Sequence, residues 1–134
     1  MAGIVVDASV AVKWLIEEDR SDAAQQLRNS GDDLVAPSSI IFEVYHAVWD
    51  AARTGRTHAG ELEQMRLIIP AFFARLEPMA SLFHEAAELA RSLRHPIYDC
   101  AYLALAQREN TEVVTADRDV ARVGRRAGIK TKLL

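Results

Sequence analysis

Short runs of apolar residues, several of them branched at Cβ, alternate along this chain with longer segments of helical period. Ile4-Val5-Val6, the stretch Asp33–Pro37 and Glu112–Thr115 are too brief for helices and are bounded by turn-tolerant residues. Such runs read as buried strands of a parallel sheet. Between them lie helical segments: Ala8–Glu18, Ser21–Asn29 with Ser21 or Asp19 as cap, and a long one from Ser39 that stops near Gly55. Further on, 59–76 is helical in period but contains Pro70, which predicts a kink or break. Leu76–Ala80 reads as a short edge strand, Ser81–Arg94 as an amphipathic helix, and Pro96–Asn110 as a helix with Pro96 at its first position. A short basic helix from Asp119 and a closing strand near Ile129–Leu134 complete the series. Strand–helix alternation predicts an α/β fold, a three-layer α/β/α sandwich with a central, mostly parallel sheet. Its 134 residues, 1–134, suit a single domain.

In sheets of this kind ligands bind outside the carboxyl ends of the strands. Asp7 stands at one such end and Asp117 at another. A carboxylate closing an interior strand needs helix amides, a cation or another partner. Asp7 is therefore either an N-cap or a ligand. Glu43 lies beside the apolar stripe of its helix, and a capping box from Ser39 would place its acid at position 42, which is Phe42. Asp99 falls in the first turn of a helix that is apolar almost all round, on one stripe with Leu103 and Ala106. Of Asp117 and Asp119, the latter is better placed to cap the helix that follows, which leaves Asp117 for another task. Two acids at strand ends and two on inward helix faces would repel one another unless some stayed protonated. Mg²⁺ or Mn²⁺ resolves that repulsion with oxygen ligands and can activate water against a phosphodiester.

At these residues the chain resembles a known family. "VVDASVAVKWLIEE", the Glu in "SSIIFEVYHAVW", "HPIYDCAYLALA" and "VTADRDVARVG" are similar to PIN-domain nucleases, above all to VapC-type toxins of toxin–antitoxin pairs. The likeness runs from Ile4 to about Lys130, with the acids in matching order. It implies a small α/β/α sandwich that cuts RNA with Mg²⁺ or Mn²⁺. It implies that Asp7, Glu43, Asp99 and Asp117 are the catalytic, metal-binding acids, with Ser9 and Thr115 as supporting hydroxyls and Asp119 as a neighbouring acid. It also implies a homodimer and a cognate antitoxin that holds the enzyme inactive.

The remaining features narrow the field. The formal balance is 16 basic against 19 acidic residues, or −3, so attraction to RNA must come from a local patch or bound cations. Arg118 and Arg122 are the candidates for phosphate contact. The single cysteine, Cys100, excludes an internal disulfide and fits a reducing compartment. With no signal-peptide pattern and no apolar run near the ~18 residues of a membrane span, the expectation is a cytoplasmic protein. Ile68, Ile69, Phe72 and Phe73 are candidates for an antitoxin groove, a dimer face or core. The sequence lacks a second Glu-x-x-His, a complete His-Glu-x-x-His, a Gly-x-Ser-x-Gly elbow and a Gly-rich phosphate loop. Two other classes compete: an α/β phosphotransfer signalling domain, which lacks a well-placed strand-end lysine here, and a non-catalytic binding module of the same fold.

Overall fold

The structure, a computed structural model, describes residues 3–57 and 59–134. Five short strands form one sheet: β1 (Ile4–Val6), β2 (Leu34–Pro37), β3 (Arg75–Glu77), β4 (Val113–Thr115) and β5 (Thr131–Leu133). The order is β3-β2-β1-β4-β5 and every neighbouring pair is parallel. Seven α-helices connect them among the described residues: α1 (Ala8–Ala11), α2 (Ser21–Arg28), α3 (Ile40–Arg53), α4 (Leu62–Ala71), α5 (Met79–Leu93), α6 (Ile97–Glu109) and α7 (Arg118–Arg126).

The chain leaves β1 in one direction to build β2 and β3, then returns to build β4 and β5 on the other side. Right-handed crossovers then place α1 to α4 over one face and α5 to α7 over the other. The packing agrees. α1 touches α3, while α6 lies across β1, β2 and β4 and packs along α5. β1 and β4 are adjacent where the direction reverses, and the crevice at their carboxyl ends is the expected ligand position of such a sheet. The alternation of runs thus predicts the sandwich correctly.

The middle of the core is α6. Its seven residues Cys100 to Ala106 are all buried, which explains why this helix has no polar stripe. β1 contributes Val5 and Val6, both fully buried, and β4 contributes Val113 and Val114.

Several local expectations shift. The first helix is not continuous to Glu18. α1 gives way to a turn of 3₁₀ helix, Val12–Trp14, whose Trp14 indole N–H donates to Ala24 O at 2.8 Å and ties the chain to α2. Neither Asp19 nor Ser21 caps α2. Arg20, in the left-handed region at φ 68°, precedes the helix, and Ser21 Oγ instead accepts from Glu18 N at 2.9 Å. Pro96 is the residue before α6, not its first. Pro70 leaves α4 intact for one more residue, so it ends the helix without kinking its middle. Ile69 is buried, and Phe72 and Phe73 are half-buried against Trp14, with ring centroids 5.1 and 5.9 Å away. Of the four apolar residues around Pro70, Ile68 is the most exposed and the other three pack wholly or partly into the core. No helix among the described residues is long and apolar enough to cross a membrane.

Candidate active site

β1 delivers Asp7 to the carboxyl end of the central strand, and the Asp7 N–H donates to Val114 O of β4 at 3.0 Å. The side chain is only 5% exposed. One of its oxygens, Oδ2, accepts from Ser9 Oγ at 2.5 Å and from Thr115 Oγ1 at 2.9 Å. Its carboxylate makes no capping bond to α1, so the N-cap reading of the side chain fails; only the Asp7 carbonyl serves that helix. Ser9 and Thr115 are themselves fixed. Ser9 Oγ accepts from Ala116 N at 2.9 Å, and Thr115 Oγ1 accepts from Asp117 N at 3.0 Å. Two hydroxyls thereby stitch β1 to the exit of β4. Burial raises the Asp7 pKa; the Ser9 and Thr115 hydrogen bonds oppose the rise, and the charges of Asp99 and Asp117 add to it.

Asp117, with extended backbone, is the N-cap of α7: Oδ1 accepts from Asp119 N at 2.8 Å and Val120 N at 3.3 Å. Sequence reasoning assigned that duty to Asp119. Asp119 already lies inside the first turn, exposed, and pairs with Arg122 at 3.4 Å. An N-cap requires extended backbone just before the helix, which only Asp117 supplies.

Glu43 stands in the first turn of α3, half-buried. Its Oε1 accepts from the Tyr102 hydroxyl at 2.9 Å and from Ser39 Oγ at 3.1 Å. Ser39 occupies the N-cap position but makes no side-chain cap bond; its hydroxyl is spent on Glu43. Burial raises the Glu43 pKa, the Tyr102 and Ser39 bonds lower it, and the charges of Asp7 and Asp99 raise it again. Asp99, in the first turn of α6, meets His95 Nε2 through Oδ2 at 2.7 Å.

All four acids share one arrangement. Each has one oxygen held by the protein, and among the described residues the other oxygen has no hydrogen-bond partner. No fully buried side-chain oxygen or nitrogen of the described residues lacks a partner, so the second oxygen of buried Asp7 keeps some access to solvent. Hard oxygen donors in this number fit Mg²⁺ or Mn²⁺. The acids sense one another's charge, yet among the described residues no three His, Cys, Asp or Glu side chains close into a ready-made cage. The site is an electrostatically coupled set of acids, not a pre-closed one.

Beside Asp117, a cleft is lined by Ser9, Lys13, Glu18 and Arg118. Arg118 therefore stands next to the acids, whereas Arg122 is engaged with Asp119 further out. Lys13, placed within a helix by the sequence, sits in the 3₁₀ turn after α1. It donates to Asp19 O at 2.6 Å and approaches Glu18 at 3.5 Å. Tyr102 and His95 were missed in the sequence. Both lie one helical turn from Asp99, at i+3 and i−4, and that spacing was the available signal. Elsewhere, an apolar groove of about 560 Å³ runs between α3 and α4, with Ile41, Phe42, Tyr45 and Trp49 along it.

Residues 4–126 match the model of the PIN domain. Ribonuclease VapC3 of Pyrobaculum aerophilum is 30% identical over 120 residues, 88% of this chain and 92% of that protein. Among solved structures, VapC20 of Mycobacterium tuberculosis, described as a sarcin–ricin loop cleaving toxin, aligns with a TM-score of 0.70 at 20% identity, over 94% of this chain and 95% of its own. VapBC2 of Rickettsia felis, solved bound to a DNA fragment from its promoter, aligns with a TM-score of 0.69 at 13% identity, over 98% of each chain.

Proposed function

Since the chain belongs to the PIN domain family, in its VapC-type branch, we propose that it is a single-domain, metal-dependent endoribonuclease and the toxin of a toxin–antitoxin pair. The observation that carries this reading is the shared arrangement of Asp7, Glu43, Asp99 and Asp117, each with one oxygen held and one turned free at the carboxyl ends of β1 and β4 and beside them. These four residues would hold Mg²⁺ or Mn²⁺, which when bound supplies the Lewis acidity for phosphodiester hydrolysis. Ser9 and Thr115 keep Asp7 oriented and, by donating hydrogen bonds, favour its ionised form. Asp119 is a neighbouring acid at the rim of the site, where it pairs with Arg122. Arg118 flanks the acids and takes a phosphate of the RNA, with Arg122 as an outer contact.

The partner is a cognate antitoxin, seated on the apolar groove between α3 and α4, where Phe42 is 78% and Trp49 43% exposed. Two copies of the chain pair through the face of α5 and α6 that exposes Phe83 and Tyr98. The protein works in the cytoplasm, where its RNA lies. The test is incubation of antitoxin-free protein with a mixed RNA pool in Mg²⁺, in Mn²⁺ and in chelator. Cleavage confined to the metal-containing samples is the expected result. Equal cleavage in chelator would refute the metal reading. No cleavage of any RNA would favour a binding module.

A further inference from the structure

Tyr102 is the largest fully buried side chain, yet its hydroxyl does not face an inert partner. It donates to Glu43 Oε1 at 2.9 Å across the interface between α6 and α3. Ser39, at the start of α3, donates to the same oxygen at 3.1 Å. Neither hydroxyl touches Oε2. Two donors converging on one oxygen fix the carboxylate plane and leave the other oxygen without a protein hydrogen bond among the described residues.

Tyr102 is also placed by the same helix that carries Asp99, one turn earlier. Any movement of α6 therefore moves Asp99 and the donor to Glu43 together. A glutamate has one more rotatable bond than an aspartate, and it loses more freedom on being held. Glu43 is the only glutamate of the four, and its two clamping hydroxyls offset that disadvantage.

We propose that Tyr102 is a positioning residue of the active site, which with Ser39 clamps Oε1 of Glu43 so that Oε2 is presented to a divalent cation. This rests on the reading of the four acids as the metal-holding set. Tyr102 touches neither substrate nor metal; it acts through Glu43.

The experiment measures Mn²⁺ affinity from the free-ion signal in electron paramagnetic resonance, with no substrate present. Tyr102→Phe keeps the buried ring and removes only the hydroxyl. Loss of such an outer-shell hydrogen bond weakens metal binding about 10- to 100-fold. Ser39→Ala, at a half-buried position with little packing to lose, weakens it about three- to tenfold, as one hydrogen bond would. In a Glu43→Gln background, Tyr102→Phe adds nothing further, because its effect runs through the carboxylate. Mn²⁺ affinity unchanged in Tyr102→Phe, or an equal loss in the Glu43→Gln background, overturns the proposal. Should Tyr102→Phe fail to fold, Ser39→Ala decides: unchanged affinity there overturns the clamp. Absence of Mn²⁺ binding in the unmodified protein strikes down the metal reading itself, an outcome distinct from binding that ignores Tyr102.

Discussion

Asp7 shows how much a single residue can be asked to do. A buried carboxylate beside two other acids is held with its native pKa above the ordinary value, chiefly by burial. Such a group binds its proton more tightly when folded. Its contribution to stability is therefore present below the unfolded value of about 3.9 and is lost as pH rises through the raised native one. Glu43 acts in the same direction. The melting temperature of metal-free protein should then rise as pH is lowered from neutrality toward the ordinary carboxylate range. Asp7→Asn should reduce that slope and raise the metal-free melting temperature near neutral pH by about 3–5 °C, the equivalent of ~1 kcal/mol. Calorimetry in chelator reads both; a flat profile indifferent to the substitution would contradict the account. At this scale the sequence was informative about charge and weak about partners. The acids stood out because their positions conflicted with a simple capping role. Tyr102 and His95 did not, because a tyrosine in an apolar helix and a histidine before a proline have ordinary explanations until the fold brings α3 against α6. Asp117 and Asp119 exchanged the capping role because backbone angle, which two aspartates one residue apart do not reveal, decides it.

The elements were more legible than their ends. Branched apolar runs and helical periods depend on burial of whole faces, so β1, β2, β4 and the main helices sit where the pattern put them; β3, an Arg-Leu-Glu run with little burial, starts one residue before the expected edge strand Leu76–Ala80, and α5 already begins at Met79 within it. Ends depend on single contacts. The first helix stopped early because Trp14 reaches Ala24, and α4 stopped just after Pro70 because the chain turns there to pack Phe72 against Trp14. α7 illustrates a constraint that no periodicity exposes. A side chain at Gly124 would overlap Thr131 Oγ1 and press on Leu103 Cδ2 at 3.2 Å. Gly124 is thus required where α7 crosses β5 and α6. Gly124→Ala should destabilise the fold by about 1–3 kcal/mol, the usual range for overpacking. Urea denaturation checks this, and an unchanged midpoint would show that the layers can part. Cys100, buried in α6 next to Asp99, has its thiol pKa pushed up to about 11 by burial first and the Asp99 charge second. It should resist alkylation at neutral pH until the protein unfolds, as thiol-reactive dyes would report.

For the whole molecule, the order in which the chain adds strands reverses between β1 and β4, all of them parallel, and the acids gather at and around that point. On the nuclease reading proposed above, their mutual charge in a protein of net charge −3 calls for both a cation and local arginines if RNA is to approach. Arg118 beside Asp117 is the nearest such arginine. Arg118→Gln should weaken RNA binding across sequences and lower the slope of log affinity against log salt by about one. An unchanged slope would place the phosphate elsewhere. The class of fold and the order of the acids were readable from sequence because both follow from one-dimensional pattern. The apolar groove proposed as the antitoxin seat was readable only in part: Ile69 lines it from α4, Phe72 and Phe73 pack half-buried against the core instead, and Phe42 and Trp49, spaced along α3, form its exposed face. The central claim, that Asp7 ends its strand in order to serve a metal-dependent nuclease, is tested most directly by one comparison. Purified protein and Asp7→Asn are incubated with the same RNA pool in Mg²⁺, and cleavage rates are measured at equal folded concentration. The account predicts a loss of at least about 10³-fold in the variant, in keeping with removal of a principal electrostatic group. Cleavage by Asp7→Asn at the rate of the unmodified protein would contradict it.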